Sequence, residues 1–505
     1  MSTKPPIPTD AAYAELTAQL RRTYSLDSVA GLLGWDEQVN LPAGAAAQRA
    51  EQHAMLADVV HAAASAPRVG ELLAALEAPG AGLDPDPAAV VREARRDYDR
   101  ATKLPADFVS EKAAQGSRGY HAWAEARAAN DFGRYAPVLK KNLELALREA
   151  AYLGRADSPY DAMLDLHDPG LTAGAVERLF AELKAELVPF VRAIAASPVQ
   201  AKVGALRGFP VGEQRAFLRE VTERLGFDYR RGRIDVSLHP FCSGGGDDVR
   251  MTTRFNEDEP LDSLFGSVHE TGHGLYEQGL PAAGRGTALG THAGMAVHES
   301  QSRLWENQVA RSRGFWRFFE PRFRNLFPAQ TAAVTSDELY LVVNSVAPTS
   351  IRVEADEVTY NLHVILRFEI ERRLFAGTLA VEDLPAAWNE LSRELLGLSP
   401  PNDREGVLQD VHWSGGAFGY FPSYALGNMI AAQLWSRIRD LRPGIEEEWA
   451  RGDFSWLLGW LRENIHAQGR RFDALTLVRR VTGEELSPRP LMRYLRERYG
   501  NLYLK

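Results

Sequence analysis

Leu261-Asp262-Ser263-Leu264-Phe265-Gly266-Ser267-Val268-His269-Glu270-Thr271-Gly272-His273-Gly274-Leu275-Tyr276 is the stretch from which the rest of the chain is read. Leu261, Leu264, Phe265, Val268, Leu275 and Tyr276 recur at the spacing of one helical face. Asp258 and Glu259 with Pro260 suit a helix start, and Gly279 with Pro281 a stop. The pattern predicts a helix over 261–279. Inside it, His269 to His273 reads HExxH. Residues four apart share a face, so both imidazoles can hold one zinc ion. Glu270 then lies beside the open coordination position, placed to take a proton from the water there, which is metallopeptidase chemistry.

A catalytic zinc usually has three protein ligands and one water. Val297 to Asn307 reads as a second helix. Glu299 lies 26 positions after His273 (299 − 273). The intervening loop carries Gly284, Gly286, Gly290 and Gly294, so the chain can reverse and lay the second helix beside the first. Glu299 is the expected third ligand. His298 is its rival, since imidazole also suits zinc; one residue along a helix faces about 100° away, so the two do not easily ligate together. The metzincin spacing fails, because position 279 is Gly where a third His is required.

Composition bounds the function classes. The chain has 505 residues, 45% hydrophobic and 25% charged, an ordinary globular balance with enough apolar residues for a sizeable core. Net charge is −9 and there is no Lys/Arg-rich run, so nucleic-acid binding is not expected. No apolar run of about 18 residues spans a membrane, and Met1–Leu20 lacks the pattern of a signal peptide. A single cysteine, Cys242, excludes intrachain disulfides and fits a reducing compartment. It reads as a small buried residue rather than a nucleophile.

Stretches rich in Ala, Leu, Glu and Arg predict helices over 10–33, 44–77, 87–157, 173–196, 211–225, 261–279, 294–325, 336–346, 355–376, 381–397, 424–440 and 444–500. There is no Gly/Ser linker and no repeat. The fold class is mainly α. One region breaks the rule: Ile234, Val236 and Leu238 alternate, Gly244-Gly245-Gly246 turns the chain, and Val249, Met251, Thr253 and Phe255 alternate again. This predicts a β-hairpin just before the metal helix, whose edge can hold a peptide by strand addition or simply cap the helices.

Several further motifs occur in order: His239-Pro240-Phe241; Asp248 to Thr252; His298-Glu299-Ser300-Gln301; Ile351 to Glu357; and Gly406 to Trp413. With HExxH, and with Leu33 to Pro42 and Gly419 to Tyr424, they make the chain resemble the Taq-type zinc carboxypeptidases, or thermostable carboxypeptidase family, over nearly its whole length. The resemblance implies an almost all-helical fold with a deep cleft and a short sheet near the metal. Within one unit, 1–505, helices of about 1–230 cover the cleft and 231–505 bears the motifs. It also implies removal of single residues from peptide C-termini with broad specificity, one zinc or cobalt ion per chain, and a cytoplasmic homodimer.

A terminal carboxylate is best matched by a guanidinium fork. Arg352 is the first candidate and Arg250 the second, although Arg352, with Glu354, Asp356 and Glu357 close by, also reads as an ordinary ion pair. His412, Tyr420 and Tyr424 are candidate donors to the oxyanion of the tetrahedral intermediate. Their Gly-rich turn allows close approach to a ligand, and the 12-residue step from His412 to Tyr424 resembles related helical HExxH peptidases. Packing tyrosines are the alternative. His239 and Asp248 flank the hairpin turn and line the substrate end of the cleft or orient the metal ligands; Asp356, Gln409 and Asp410 are further supports of that kind. Two competing functions remain: an oligopeptidase or dipeptidyl carboxypeptidase sharing His269, His273, Glu299 and Glu270, and a non-enzymatic helical protein with a structural metal. Glu270 and the absence of a closed Cys-rich ligand set argue against the latter.

Overall fold

The computed structural model describes residues 8–504. The fold is mainly α, with one three-stranded sheet. The strongly periodic segments appear where expected: helices span Val211–Leu225 and Pro260–Gly279. Long predicted helices break where local chemistry demands. The stretch 87–157 is three helices, Pro85–Lys103, Ala106–Ala129 and Phe132–Tyr152. The first break precedes Pro105, and the second is closed by Asn130 in the left-handed conformation (φ 55°), a usual helix terminator. The stretch 444–500 likewise divides at Gly452, Gly469 and Gly483, all with positive φ. A helix over Pro159–His167 was not expected from the sequence.

The sheet corrects the predicted hairpin. Strands β1 (Gly232–Val236), β2 (Cys242–Gly245) and β3 (Asp248–Thr253) lie in the order β1-β3-β2. Ile234 does face Met251, and Val236 faces Thr253, but the two strands run parallel. The antiparallel hairpin is β2–β3, tightly turned at Gly246-Asp247. β2 leaves no pattern in the sequence, because Cys242-Ser243-Gly244-Gly245 carries no apolar alternation. Leu238, read as part of the first strand, lies beyond it and is 81% exposed.

The sheet packs on the Pro260–Gly279 helix. A Cβ at Gly274 would sit 2.7 Å from Phe227 and 3.2 Å from the Met251 sulfur, so the small residue sets that contact. Ser267 Oγ also donates to Thr253 Oγ1 at 3.0 Å. The main hydrophobic core takes residues from Ala126 to Tyr503 and includes both sides of residue 230; a smaller cluster joins residues 12–94. No helix among the described residues is long and apolar enough to cross a membrane.

Candidate active site

Three helices meet at their closest around Glu299. A Cβ on Gly272 would stand 2.5 Å from Ser302 Cα, and a Cβ on Gly427 would stand 2.5 Å from Glu299 Cγ. Glycine at both positions lets Pro260–Gly279, Met295–Arg303 and Phe421–Leu441 approach backbone to side chain. The last two are joined at their N-terminal ends by Asp168, which accepts from Ala296 N–H (2.8 Å) and Ser423 Oγ (2.6 Å). Burial pushes that carboxyl up to about 6, against the pull of those hydrogen bonds.

His269, His273 and Glu299 converge there. Their Nε2 atoms are 3.2 Å apart, and Glu299 Oε2 is 3.6 Å and 3.5 Å from them. Ligands about 2.1 Å from a tetrahedral zinc are separated by about 3.4 Å, so the three donors already form one face of such a site. The donor set, two imidazoles and one carboxylate, is that of an open catalytic centre.

What stands behind each ligand fixes its orientation. His269 Nδ1 is 2.9 Å from Glu306 Oε2. His273 Nδ1 is 2.5 Å from His298 Nδ1, and His298 Nε2 is 2.9 Å from Glu277 Oε1. With Nε2 lone pairs turned to a metal, His269 donates from Nδ1 to Glu306. His273 donates from Nδ1 to His298, which donates from Nε2 to Glu277. His298 therefore lies behind His273 rather than at the convergence point. Glu299 Oε1 accepts from Arg303 Nε at 2.6 Å. Burial works to raise the Glu299 carboxyl, but Arg303 and His269 hold it well below the usual range. Burial likewise opposes Glu306, which Arg303 and His269 bring down to about 2. His273 is pushed down to about 3, chiefly by burial, so its imidazole is neutral and free to ligate. Burial pulls His269 down too, but Glu299 and Glu306 outweigh it and its net shift is upward.

Glu270 is buried on the same helix, and burial raises it to about 7. Cys242 on edge strand β2 lies close enough that Glu270 and Glu277 add to the effect of burial in raising its thiol. Cys242 is half-buried rather than fully buried, and β2 passes beside Glu270.

Opposite, His412 Nε2 is 3.3 Å from Tyr424 OH, and the Tyr420 and Tyr424 rings meet edge to face at 5.1 Å. Burial raises both hydroxyls, Tyr420 to about 12, with Glu299 contributing to each. His412 is lowered to about 4 by burial and stays neutral. The turn that presents them is fastened from the N-terminal helices: Asn142 Nδ2 donates to Trp413 O (2.8 Å) and Ser414 O (3.0 Å). Glu371 accepts from Trp413 Nε1 (2.6 Å) and Gly419 N–H (2.9 Å).

Arg352 is buried. Its Nε and Nη2 donate to Asp410 Oδ1 at 3.0 and 2.8 Å, its Nη1 donates to Tyr360 OH at 2.9 Å, and its guanidinium lies 5.1 Å from the Tyr424 ring. Arg367 holds the other Asp410 oxygen. Gln409 accepts from Arg352 N–H and Arg367 Nη2 (both 2.8 Å). The structure thus gathers Arg352, His412, Tyr420 and Tyr424 with the triad. Arg250 is elsewhere in its bonding: its fork grips Asp248 (2.8 and 3.0 Å) and stacks 4.2 Å over Trp35 of the N-terminal helix Thr9–Val39. His239 is exposed, with no side-chain hydrogen bond among the described residues. Asp356 accepts from Ala347, Val358 and Thr359 and fastens a turn. Arg303, Glu306 and Tyr360, which belong to none of the sequence motifs, also join the site. The first two were legible: 299, 303 and 306 repeat the helical spacing of one face, and charges placed there must answer one another.

Known proteins share this fold. The family model described as Carboxypeptidase Taq (M32) metallopeptidase matches residues 15–499. This chain belongs to that family. Thermostable carboxypeptidase 1 of Thermus thermophilus is 43% identical over 98% of this chain and 99% of its own length. The crystal structure of the M32 carboxypeptidase from Deinococcus radiodurans R1 superposes with a TM-score of 0.95 at 46% identity, covering 98% of this chain and 100% of that one. Trypanosoma cruzi metallocarboxypeptidase 1, at 36% identity, covers 97% and 99% with a TM-score of 0.90. The M32 chain described here is a metallocarboxypeptidase, a hydrolase of peptide bonds.

Proposed function

We propose that this M32 enzyme releases single residues from the C-termini of peptides with broad specificity, using one zinc ion held by His269, His273 and Glu299. The observation that carries the reading is the donor triangle with edges of 3.2, 3.5 and 3.6 Å beside the buried carboxyl of Glu270. Cobalt suits the same donors. A divalent ion at this triad supplies Lewis acidity, polarising the scissile carbonyl and lowering the pKa of the attacking water. Glu270 takes that water's proton and passes it to the leaving amine; its upward shift keeps it basic enough to accept and acidic enough to give. Tyr424 and Tyr420 donate to the oxyanion, and the neutral His412 donates through Nε2 to Tyr424, directing the phenol's proton outward. Arg352, anchored by Asp410, offers its remaining N–H groups to the terminal carboxylate, so that the last peptide bond meets the metal. Arg250, Asp248 and His239 border the substrate further along the sheet, where β2 offers an edge for strand pairing. The helices of about 1–230 cover the cleft. The enzyme acts as a cytoplasmic homodimer.

The test is digestion of a peptide of known sequence by zinc- or cobalt-loaded protein, beside Glu270→Gln, with products read by mass spectrometry. A ladder losing one C-terminal residue at a time, absent with Glu270→Gln and with a C-terminally amidated peptide, supports the reading. Dipeptides or internal fragments transfer it to the oligopeptidase class.

A further inference from the structure

The helix bearing Glu299 does not continue as an α-helix. Over Leu304–Val309 it widens into a π-helix, closed by Ala310 N–H donating to Trp305 O at 2.9 Å. Such turns are rare and are frequent at functional sites. This one carries Glu306, the carboxylate behind His269. The Glu306 position is set by three neighbours: His269 Nδ1 (2.9 Å), Arg303 Nη1 (3.2 Å) and Arg311 Nη2 (3.3 Å).

The end of the π-turn is held from far along the chain. Arg498, 191 positions after Asn307, donates Nη1 to Asn307 O at 2.5 Å and Nη2 to Gln308 O at 3.2 Å. Helix C-terminal carbonyls need donors from outside the helix, and here one buried fork supplies two. Arg498 is itself fixed. It sits in a second π-helix, Arg496–Gly500, with its guanidinium 4.8 Å from the Tyr494 ring and 3.9 Å from Glu357 Oε2. Tyr494 and Tyr499 both donate to that same Glu357 oxygen, at 3.0 and 2.6 Å.

We propose that Arg498 is a positioning residue for the metal centre: from the C-terminal segment it caps the π-turn and so fixes Glu306 against His269 Nδ1. It touches neither substrate nor metal. Its effect passes through the π-turn backbone to Glu306, and through Glu306 to the orientation and basicity of the His269 ring. The inference rests on His269 being a ligand.

The test measures zinc affinity of the full-length protein by competition with a chromophoric chelator, with thermal unfolding of the metal-free forms recorded beside it. Glu306→Gln is expected to weaken zinc binding by about 10- to 100-fold, the usual effect of losing such a partner. Arg498→Met is expected to weaken it in the same direction by about tenfold or more. The double variant should be no worse than Glu306→Gln alone, since both changes cut one path. Arg439→Met removes a surface pair with Glu497 and should leave affinity unchanged. A folded Arg498→Met protein with wild-type zinc affinity overturns the proposal, as does full additivity in the double variant. Should Arg498→Met not fold, Arg498→Lys decides. It keeps the charge but caps only one carbonyl, so affinity should fall several-fold, and no change overturns the proposal. His269→Ala separates the two claims. Retention of one tightly bound zinc there removes the ligand assignment, whereas loss of zinc there with unchanged Arg498 variants removes this proposal alone.

Discussion

Gly272→Ala puts the ligand geometry itself under strain. Position 272 lies between the two histidines, and an added Cβ would meet Ser302 Cα at 2.5 Å, Gln301 O at 2.6 Å and Gln301 C at 2.9 Å. Ordinary carbon contacts are about 3.5–4.0 Å. The obstacles are backbone atoms of the helix that carries Glu299, so no rotamer change relieves them and the helices must part by about 1 Å. Alanine in mid-helix gains about 1 kcal/mol of propensity over glycine, while overpacking a tight core costs about 1–3 kcal/mol. The net loss of stability is therefore modest, about 0–2 kcal/mol. The metal centre is affected more. Widening the 3.5 and 3.6 Å edges to Glu299 by that amount takes them well past the edge of a tetrahedral site. Zinc affinity should fall by about tenfold or more, the scale on which such sites respond to misplaced supports. Chelator competition reads the affinity, and unfolding of the metal-free protein reads the stability. A variant that binds zinc as tightly as the parent would refute the claim that helix contact at Gly272 sets the triad.

The remaining predictions concern single groups. Tyr424→Phe should lower kcat by about 10²–10³-fold with little change in KM or zinc content, as expected for a lost oxyanion donor; an unchanged kcat assigns Tyr424 to packing. Arg352→Lys removes the fork but keeps the charge. KM for a free-carboxylate peptide should rise at least tenfold while the Asp410 pair is partly retained, and steady-state kinetics with unchanged KM would leave Arg352 as a purely structural ion pair. Asp168 is raised to about 6 by burial, so the folded state holds its proton more tightly than the unfolded chain, where the value is about 3.9. That contribution, about 2–3 kcal/mol, is fully present below about pH 4 and is lost as pH rises through about 6. Denaturant unfolding of the metal-free protein at a series of pH values should show a slope over that window that Asp168→Asn flattens; equal slopes in both proteins would refute it.

What the sequence made legible follows from the range of the interactions involved. HExxH and the step to Glu299 are local patterns on two helices, and helical period alone puts the right groups on the right faces. The oxyanion candidates His412 and Tyr424 were legible for the same reason, being on one turn and the helix it feeds. Legibility ended where position depends on chain segments far apart. Glu277 behind His298 shares a helix with the ligands it serves, yet nothing local says that His298 will turn toward it. β2 has almost no side-chain pattern and owes its place to backbone pairing with β3. The partner of Arg352 could have been Glu354, Asp356 or Glu357 by proximity in sequence, but is Asp410, 58 residues away, because a guanidinium buried to this degree must meet a carboxylate from an element packed against it.

The same logic explains why the support of the metal centre is harder to read than its ligands. Zinc accepts few donor types at fixed spacings, so ligands leave a signature. A support needs only a donor or acceptor at the right point in space, and any element can provide it. Glu306 comes from a π-turn, Asp168 from a loop joining two helices, and Arg498 from a segment 191 positions beyond that π-turn. Three separated segments thus converge on one centre whose ligands span only 31 positions (299 − 269, counting both ends). Replacing one of these supports should therefore disturb metal binding before it unfolds the core, because each reaches the centre through two or three hydrogen bonds whereas the core is held by many apolar contacts.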